Sequence, residues 1–394
     1  MHKIKLIIIV LLSIILAGCT PLFLRDSEPK ILNNATGLTD SETLLQSSLE
    51  SNQEVLIKSI NSNLIDGLVY DISSDGKTLL LGSPSSSISG NIESAGIYSN
   101  LHTYNIKNNQ LKQVLLSSKE QVNALFDKKH KGMIYVEYNR DPDGKAIEDS
   151  YRLNWTNNEG SQTKNLSTSD ESVSPKFSMV NNELVIYGNT KGQIKIVELR
   201  SISRQSIYRK TYNLTENLNI YKVDYYEDYN LAFFLALNPK TKDMDLYYAN
   251  LAQTEVVPRL IHKNVTDFNI STENASVLYN AKGEKSNQLI SVDMYYNNTV
   301  VYEGPISMFY FTPDENKIIY GEKIDDSSNN QNIWIMNSDG TQSTQLASNL
   351  RIAGDRIIFN SNNDSIFFSV FQLESKESNT LNYKVYNIEY SYKY

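Results

Sequence analysis

The loop with the spacing of a metal site begins at Asn139. Asn139, Asp141 and Asp143 place oxygen-bearing side chains at alternate positions before Gly144. Calcium-binding loops begin in this way, because Ca²⁺ is held by carboxylate and carbonyl oxygens that the chain presents at every second residue. The pattern therefore makes Asn139, Asp141 and Asp143 candidate calcium ligands.

The end of the same loop departs from the calcium pattern. Such loops carry a bidentate acidic residue at the twelfth position, where this chain has Ser150. Glu148 or Asp149 could substitute for it. A solvated turn between two strands explains the same residues and is the favoured interpretation. The sequence accordingly predicts no cofactor, and calcium is a possibility to be tested.

Catalytic machinery is not recognisable in the chain. It has no Gly-x-Ser-x-Gly elbow, no His-Glu-x-x-His motif and no glycine-rich phosphate loop. After the N-terminal segment the histidines are His102, His130 and His262, which share no spacing. Asp325 and Asp326 form a possible carboxylate pair, but a charged loop tip is the ordinary explanation for them. No catalytic residue is predicted.

The N-terminus has a signal for covalent lipid attachment. Two lysines precede an apolar run of about eleven residues, which is too short to span a bilayer and fits the core of an export signal. The run ends in Leu16, Ala17, Gly18 and Cys19, which resemble the lipobox of bacterial lipoproteins. In that family the signal is cut before the cysteine, which then carries the lipid.

This resemblance implies a membrane-anchored lipoprotein on the outer side of the cell membrane. Residues 1–18 would be the signal peptide, Cys19 the lipid attachment site, and residues 19–53 a polar tether. A capping-box spacing at Thr39 and Glu42 predicts a short helix in the tether. An ordinary secretory signal with a chance cysteine is the alternative. Cys19 is the only cysteine, so no disulfide can form.

The overall charge limits the possible partners. The formal net charge of the 394 residues is −8, whereas nucleic-acid-binding proteins present a basic face. The sequence therefore predicts no nucleic-acid partner. The same charge opposes adhesion of the whole protein to anionic lipid by electrostatics alone.

Strand-like segments recur along the chain at a nearly regular spacing. Seven strongly apolar segments begin 42 to 54 residues apart, and each is followed by a second alternating segment. The seven first segments begin at Thr78, Gly132, Glu183, Asn230, Ala275, Lys317 and Ser365.

Several repeats show a strand before this pair and another after it. A preceding strand begins at Gly67 and at Met308, and following strands begin at Lys112 and at Thr299. Four strands at a period of about 40 to 50 residues match the blade of a β-propeller. Residues 54–394 are therefore predicted to form an all-β propeller of four-stranded antiparallel blades.

The last repeat stops at Tyr394, before a fourth strand can form. The segment from Glu54 to Ile60 is strand-like and has no partner in the first repeat. Pairing this segment with the last repeat would complete that blade and remove two exposed sheet edges. We therefore expect an N-terminal strand at about residues 54–60 to close the ring.

Two repeats resemble a known propeller family. The stretch IWIMNSDGTQSTQL from Ile333 and the stretch DISSDGKTLLLGS from Asp71 closely resemble the repeat of TolB and the Tricorn protease, in which a strand runs into an Asp-Gly turn. The other repeats depart from it, for example with DKKHK at Asp127 and DYYEDYN at Asp224. The resemblance implies a TolB/Tricorn-like propeller, and it implies little about function. TolB-like propellers commonly have six blades, whereas the repeats here favour seven.

The repeat also explains the Asp-Gly pairs and most of the 26 tyrosines. Asp-Gly supplies a positive φ and lets two strands reverse within two residues, so Asp339 is predicted to be a turn residue and not a ligand. Tyrosines within strands, such as Tyr135, Tyr187 and Tyr279, are predicted to pack between blades. Tyr247 and Tyr320 belong to the same group. Stacking of tyrosines on sugars is the alternative.

The sequence favours a binding or scaffolding module at the cell envelope over an enzyme. The ligand would be an envelope protein or a glycan on one propeller face or at one end of the central channel. The alternative is an envelope hydrolase or lyase with carboxylates in the channel. Charged residues pointing inward from three or more blades would favour the enzyme. A face rich in exposed aromatic side chains, with a plugged channel, would favour the binding module.

Overall fold

The computed structural model describes residues 55–84, 99–202, 207–238, 241–284, 286–325, 330–375 and 378–392. All of them belong to one unit of the chain, Ile31–Tyr394. The lipobox residues Leu16, Ala17, Gly18 and Cys19 and the predicted tether helix lie outside the described residues, as does Asp326. The predictions made for these residues therefore stay predictions.

The described residues form seven four-stranded antiparallel sheets arranged in a ring, a seven-bladed β-propeller. The choice of seven blades over six is thereby confirmed. The first strands of neighbouring sheets contact one another and form the inner ring. Blades are numbered here from 1 to 7 in chain order.

The strand bounds follow the repeats. Blade 1 contains β2 (Leu68–Ile72), β3 (Thr78–Pro84), β4 (Ser99–Asn105) and β5 (Gln110–Gln113). Blade 2 contains β6 (Glu120–Asp127), β7 (Gly132–Tyr138), β8 (Arg152–Asn157) and β9 (Thr163–Asn165). Blade 3 contains β10 (Ser178–Val180), β11 (Leu184–Gly188), β12 (Gln193–Glu198) and β13 (Arg209–Asn213). Blade 4 contains β14 (Asn219–Tyr226), β15 (Leu231–Leu237), β16 (Met244–Asn250) and β17 (Arg259–His262).

The remaining blades continue this order. Blade 5 contains β18 (Val265–Ser271), β19 (Ser276–Lys282), β20 (Asn287–Asp293) and β21 (Asn298–Glu303). Blade 6 contains β22 (Ile306–Phe311), β23 (Lys317–Lys323), β24 (Gln331–Asn337) and β25 (Thr344–Leu350). Blade 7 contains β26 (Ile352–Phe359), β27 (Ser365–Ser375), β28 (Ser378–Tyr392) and β1 (Val55–Asn61). Three 3-10 turns occur, at Glu148–Ser150, Leu199–Ser201 and Glu227–Tyr229.

Strand β1 closes the ring as predicted. It pairs antiparallel with β28, from Val55 opposite Tyr392 to Asn61 opposite Asn387. The side chains of Val55 and Ile57 are buried between blades 6 and 7. The first and last strands of the domain therefore belong to one sheet.

The hydrophobic core is divided among the blade interfaces. Seven clusters of buried apolar side chains occur, and each joins two neighbouring blades around the ring. The predicted packing role of strand tyrosines is confirmed for four that are at most 3 % exposed: Tyr135, Tyr187, Tyr279 and Tyr320. Tyr247 is partly buried and stacks on Phe234 at 5.6 Å between ring centroids.

The propeller has two faces, which we define by their turns. The lower face carries the turns between the first and second strands and between the third and outer strands of each blade. The upper face carries the turns between the second and third strands and the connections between blades. Outer strands begin on the lower face, so the chain enters the propeller there, at Val55.

Two details differ from the sequence prediction. The outer strand of blade 1 is β5, Gln110–Gln113, and not the segment after Lys112, because β5 pairs with β4 directly after a short turn. The Asp-Gly turns contain positive φ at Gly76 (69°) and Gly340 (87°), as expected. However, each connection is longer than two residues, since Ser73–Lys77 and Ser338–Ser343 separate the paired strands.

No helix among the described residues is long and apolar enough to cross a membrane.

Candidate functional site

The inner strands are irregular, and this irregularity positions polar side chains. Six of the seven inner strands lose register against the second strand of their blade. A β-bulge re-aims the side chains beside it. Asp71, Lys222 and Asp267 each lie directly after such a break.

These polar side chains connect neighbouring blades. Each contact joins an inner-strand side chain to the next blade or to the connection that leads into that blade. Most of the contacts are hydrogen bonds with donor–acceptor distances of 2.7–3.1 Å. The contacts are Asp71 to the Phe126 amide, Asn123 to the Pro175 carbonyl, Lys222 to Asp267, Asn269 to the Phe309 carbonyl, Arg356 to the Tyr70 carbonyl, and Ser178 to Asp224.

A charged cluster lies between blades 3, 4 and 5. The Lys222 ammonium donates to Asp267 Oδ1 at 2.7 Å and to the Phe268 carbonyl, and it lies over the Phe268 ring. Lys176 Nζ lies 3.7 Å from Asp267 Oδ2. Burial raises the pKa of Asp267, but the two lysines outweigh burial and lower it overall. Asp267 is therefore held as a carboxylate.

Two other carboxyl groups on the inner strands, Asp71 and Asp224, have a pKa shifted in the direction opposite to that of Asp267. Burial raises the pKa of Asp71 and of Asp224 above the ordinary value, against partial opposition from nearby cations. Asp224 Oδ1 accepts the Tyr225 amide at 2.8 Å, and Asp71 Oδ1 accepts the Ile72 amide at 2.8 Å. Both groups hold protons more readily than an exposed aspartate does.

The inner strands thus carry charged side chains from more than three blades, but most of these charges are engaged in contacts between blades. Asp71, Asp224, Asp267 and Arg356 come from four blades. Asp267 and Arg356 are committed to contacts between blades. The two carboxyl groups with raised pKa are the groups that could transfer a proton.

The lower face carries exposed tyrosines on three adjacent blades. Four tyrosines are exposed among the described residues: Tyr208, Tyr229, Tyr295 and Tyr296. The exposed fraction of Tyr295 reaches 86 %. All four lie in or beside lower-face turns of blades 3, 4 and 5. Large amphipathic rings of this kind are characteristic of binding surfaces.

A small apolar recess lies beside these tyrosines, between blades 4 and 5. Leu231, Phe233, Tyr248 and Tyr296 contribute to its wall. The Tyr296 hydroxyl bonds the Tyr248 hydroxyl, which fixes the ring at the rim. Tyr229 packs against Tyr226 at 4.9 Å between ring centroids. The rings are thus partly held in place before any partner binds.

The loop with the calcium-like pattern lies on the upper face of blade 2, between β7 and β8. Asp141 Oδ1 accepts the Lys145 amide at 2.8 Å, and the Asn139 carbonyl accepts the Ile147 amide at 2.9 Å. Asp143 is exposed. Across the described part of the chain, no group of three or more His, Cys, Asp or Glu side chains has a metal-binding arrangement. Calcium at Asn139, Asp141 and Asp143 stays a prediction.

The structure does not bring the three histidines together. His102 lies on β4 of blade 1, where burial lowers its pKa. His130 contacts Asp127 in blade 2, and His262 contacts the Lys263 carbonyl in blade 4. Asp325 lies at the edge of an undescribed segment on the upper face of blade 6. None of these residues joins the inner charged cluster.

Sequence reasoning missed both the inner cluster and the exposed tyrosines. The inner residues come from separate repeats at different register positions, so no linear motif connects them. The tyrosines left a readable signal, because Tyr229, Tyr295 and Tyr296 fall in turn segments and not in the alternating strands.

Comparisons with known proteins support the fold only. No family model and no curated protein matches the chain. Among solved structures, an oligogalacturonate lyase from Vibrio parahaemolyticus has a TM-score of 0.55 at 12 % identity, covering 86 % of this chain and 98 % of the lyase chain. A chain of the mitotic checkpoint complex has a TM-score of 0.52 at 10 % identity, covering 91 % and 98 %.

The tricorn protease is also similar, with a TM-score of 0.37 at 13 % identity over 83 % of this chain and 30 % of that protein. At these identities the first two structures show a shared architecture and no shared activity. The chain is similar to proteins built on the β-propeller fold.

Proposed function

We propose that this protein is a lipid-anchored, extracytoplasmic propeller that binds an envelope protein or glycan through its lower face. The observation that carries the proposal is the group of exposed tyrosines on blades 3 to 5. A monomeric surface seldom exposes several large rings together without a partner. The lipobox ending at Cys19 supports the anchoring.

The inner ring gives the second reason for preferring binding over catalysis. Its charged groups join neighbouring blades, so their removal would loosen the ring. An enzyme needs groups that are free to contact substrate. The tyrosines have that freedom, since their rings face solvent.

The binding proposal is tested by crosslinking and pull-down of the Cys19-anchored protein from its native membrane. The control is a soluble form lacking residues 1–19. We expect a stable partner with the anchored protein, and its loss when Tyr229, Tyr295 and Tyr296 are replaced by serine. Recovery of no partner, together with turnover of an envelope polymer by the soluble form, would sink the proposal.

The anchoring has a separate test. Cys19→Ala should release the protein from the membrane or leave the signal uncut, because the lipid is attached at that sulfur. Fractionation and the mass of the mature chain measure both outcomes. Unchanged anchoring and cleavage would show that the lipobox interpretation is wrong.

A second candidate function is an envelope hydrolase or lyase. The observation that favours it is the pair of inner carboxyl groups with raised pKa, Asp71 and Asp224. A carboxyl group whose pKa is raised by burial is a candidate general acid. The lyase among the structural neighbours acts on oligogalacturonate, which makes that polymer a sensible first substrate to assay.

The assay uses the soluble form with oligogalacturonate, cell-wall glycan and peptide substrates. Under this alternative, Asp71→Asn and Asp224→Asn should each abolish turnover, while the lower-face variant Asp293→Asn should retain it. Absence of turnover by the unmodified protein on all three substrates counts against the enzyme.

A further inference from the structure

The lower face is divided into two sectors of opposite charge. In the described residues of its turns, blades 4 to 7 have eight carboxylates and no lysine or arginine. The carboxylates are Glu227, Asp228, Glu255, Glu273, Asp314, Glu315, Asp339 and Asp364. Blades 1 to 3 have six cations and three carboxylates in the same kinds of turn. The cations are Lys77, Lys107, Lys128, Lys129, Lys131 and Arg200.

Pairing within the basic sector leaves its excess charge on blades 1 and 2. Asp75 lies 3.5 Å from Lys77, and Glu183 pairs with Lys129. Lys107, Lys128 and Lys131 are exposed beside them. Glu159 on blade 2 is the third carboxylate of these turns. Three lysines against one carboxylate still leave the surface there positive, although the whole protein is negative.

The chain enters the propeller next to this basic sector. Val55 begins β1 on the lower face of blade 7. Blade 7 packs on blade 1 through a shared apolar cluster, and Arg356 of blade 7 bonds the Tyr70 carbonyl of blade 1. A membrane anchor at Cys19 would pull on this side of the lower face.

We propose that the basic sector of the lower face, centred on Lys107, Lys128 and Lys131, contacts the surface of an anionic phospholipid bilayer. This inference rests on the proposed anchoring at Cys19, and it adds the orientation of the propeller on the membrane. A lipid anchor combined with a basic patch holds a protein more firmly than one acyl chain does. Two observations favour an anionic bilayer as the partner: the positive charge of the basic sector and the entry of the chain beside it at Val55.

The net negative charge does not prevent this contact. Packed sheets lie about 10 Å apart, so blades on opposite sides of the ring are separated by roughly 20 Å or more. The Debye length at physiological salt is about 8 Å. A bilayer touching blades 1 and 2 is therefore screened from the carboxylates of blades 4 to 6, which tilt away with Tyr229, Tyr295 and Tyr296 toward an envelope partner. The adjacent blade 7 has a single carboxylate, Asp364, in the described residues of its lower-face turns.

The test uses the soluble form lacking residues 1–19, which retains every described strand. Its binding to vesicles of phosphatidylcholine alone is compared with binding to vesicles that also contain phosphatidylglycerol, by sedimentation at low and at physiological salt. We expect binding only to the anionic vesicles, and weaker binding as salt rises.

The decisive variant carries Lys107→Gln, Lys128→Gln and Lys131→Gln. Its control carries Lys242→Gln, Lys263→Gln and Lys282→Gln, three exposed upper-face lysines. At about fivefold per lysine, the lower-face variant should lose roughly a hundredfold in partitioning at low salt, and the control should change little. Circular dichroism and thermal unfolding establish that both variants fold.

Equal binding to neutral and anionic vesicles, or equal losses in both variants, would overturn the proposal. These results would not affect the anchoring at Cys19, since the soluble form lacks that residue. Conversely, failure of the Cys19→Ala test with intact vesicle binding would remove the anchor and keep the basic membrane contact.

Discussion

The inner ring and the lower face both carry charged side chains, but they arrange them in opposite ways. In the inner ring, cations and carboxylates from different blades meet at hydrogen-bond distance, as Lys222 and Asp267 do at 2.7 Å. On the lower face, charges of one sign are gathered in one sector. Paired and partly buried charges hold a structure together, whereas separated and exposed charges act on partners. The charges of the inner ring thus stabilise the fold, whereas those of the lower face are available for recognition.

Among the charge substitutions, the largest expected effect separates the two regions by stability. Lys222→Ala removes a donor to Asp267 and to the Phe268 carbonyl. Because a partly buried carboxylate then loses its closest cation, we expect a loss of about 2–3 kcal/mol in the free energy of unfolding. Denaturant unfolding at pH 7 measures it.

The matched control is Lys107→Ala on the lower face, an exposed lysine, which should change the free energy of unfolding by less than about 0.5 kcal/mol. If both variants lose the same free energy, the distinction between a structural inner ring and a lower face that is free to bind is wrong.

A smaller effect divides the inner ring itself. The pKa of Asp267 is lowered, so its charged form stabilises the fold above the unfolded pKa, and that contribution is lost as pH falls through the folded pKa. Asp267→Asn should therefore cost about 1–2 kcal/mol at pH 7 and less in acid.

Asp224 should show the opposite pH dependence. Its pKa is raised, so the wild-type fold loses stability as pH rises from the unfolded pKa through the folded pKa. Asp224→Asn should become relatively more stable over that window and then reach a plateau. Unfolding curves from about pH 2 to pH 7 test both variants, because the Asp267 contribution is lost below the unfolded pKa of about 3.9 and the Asp224 effect develops above it. Parallel behaviour would contradict the assigned directions.

The smallest effect on stability belongs to the exposed tyrosines. Tyr295→Ser should change the free energy of unfolding by less than about 0.5 kcal/mol, because its ring is 86 % exposed. Capture of a lower-face partner should nevertheless weaken by roughly thirtyfold if this ring is a central contact.

The comparison variant is Tyr279→Ser, in a ring that is 1 % exposed. It should cost about 3 kcal/mol or more of stability. Capture by the remaining folded protein should be unchanged. Equal capture by Tyr295→Ser and the wild type would remove that tyrosine from the binding surface.

The repeats predicted the propeller because each blade must bury both of its faces. The seven apolar segments became the second strands, and the unpaired segment at Val55 became the closing strand. The Asp-Gly pairs were recognisable because only a few residues tolerate a positive φ. These features are local or periodic, and a single sequence displays them.

The inner cluster could not be predicted in the same way. Lys176, Lys222 and Asp267 come together only when blades 3, 4 and 5 pack against one another. Bulges of irregular position decide which side chains meet there. The charge sectors were accessible in principle. The stretch DKKHK at Asp127 departs from the repeat, and the charges of the turn segments in blades 4 to 7 differ from those in blades 1 to 3.

The closing strand also has a mechanical consequence. Anything attached upstream of Val55 pulls on β1 along its own axis, away from the end where Asn61 faces Asn387. In this geometry the hydrogen bonds between β1 and β28 are loaded together in shear and are not opened one after another. Tension on the N-terminus is thereby spread over the whole strand pair, and from there into the cluster between blades 6 and 7. The strand that completes the sheet is also the strand that bears the load.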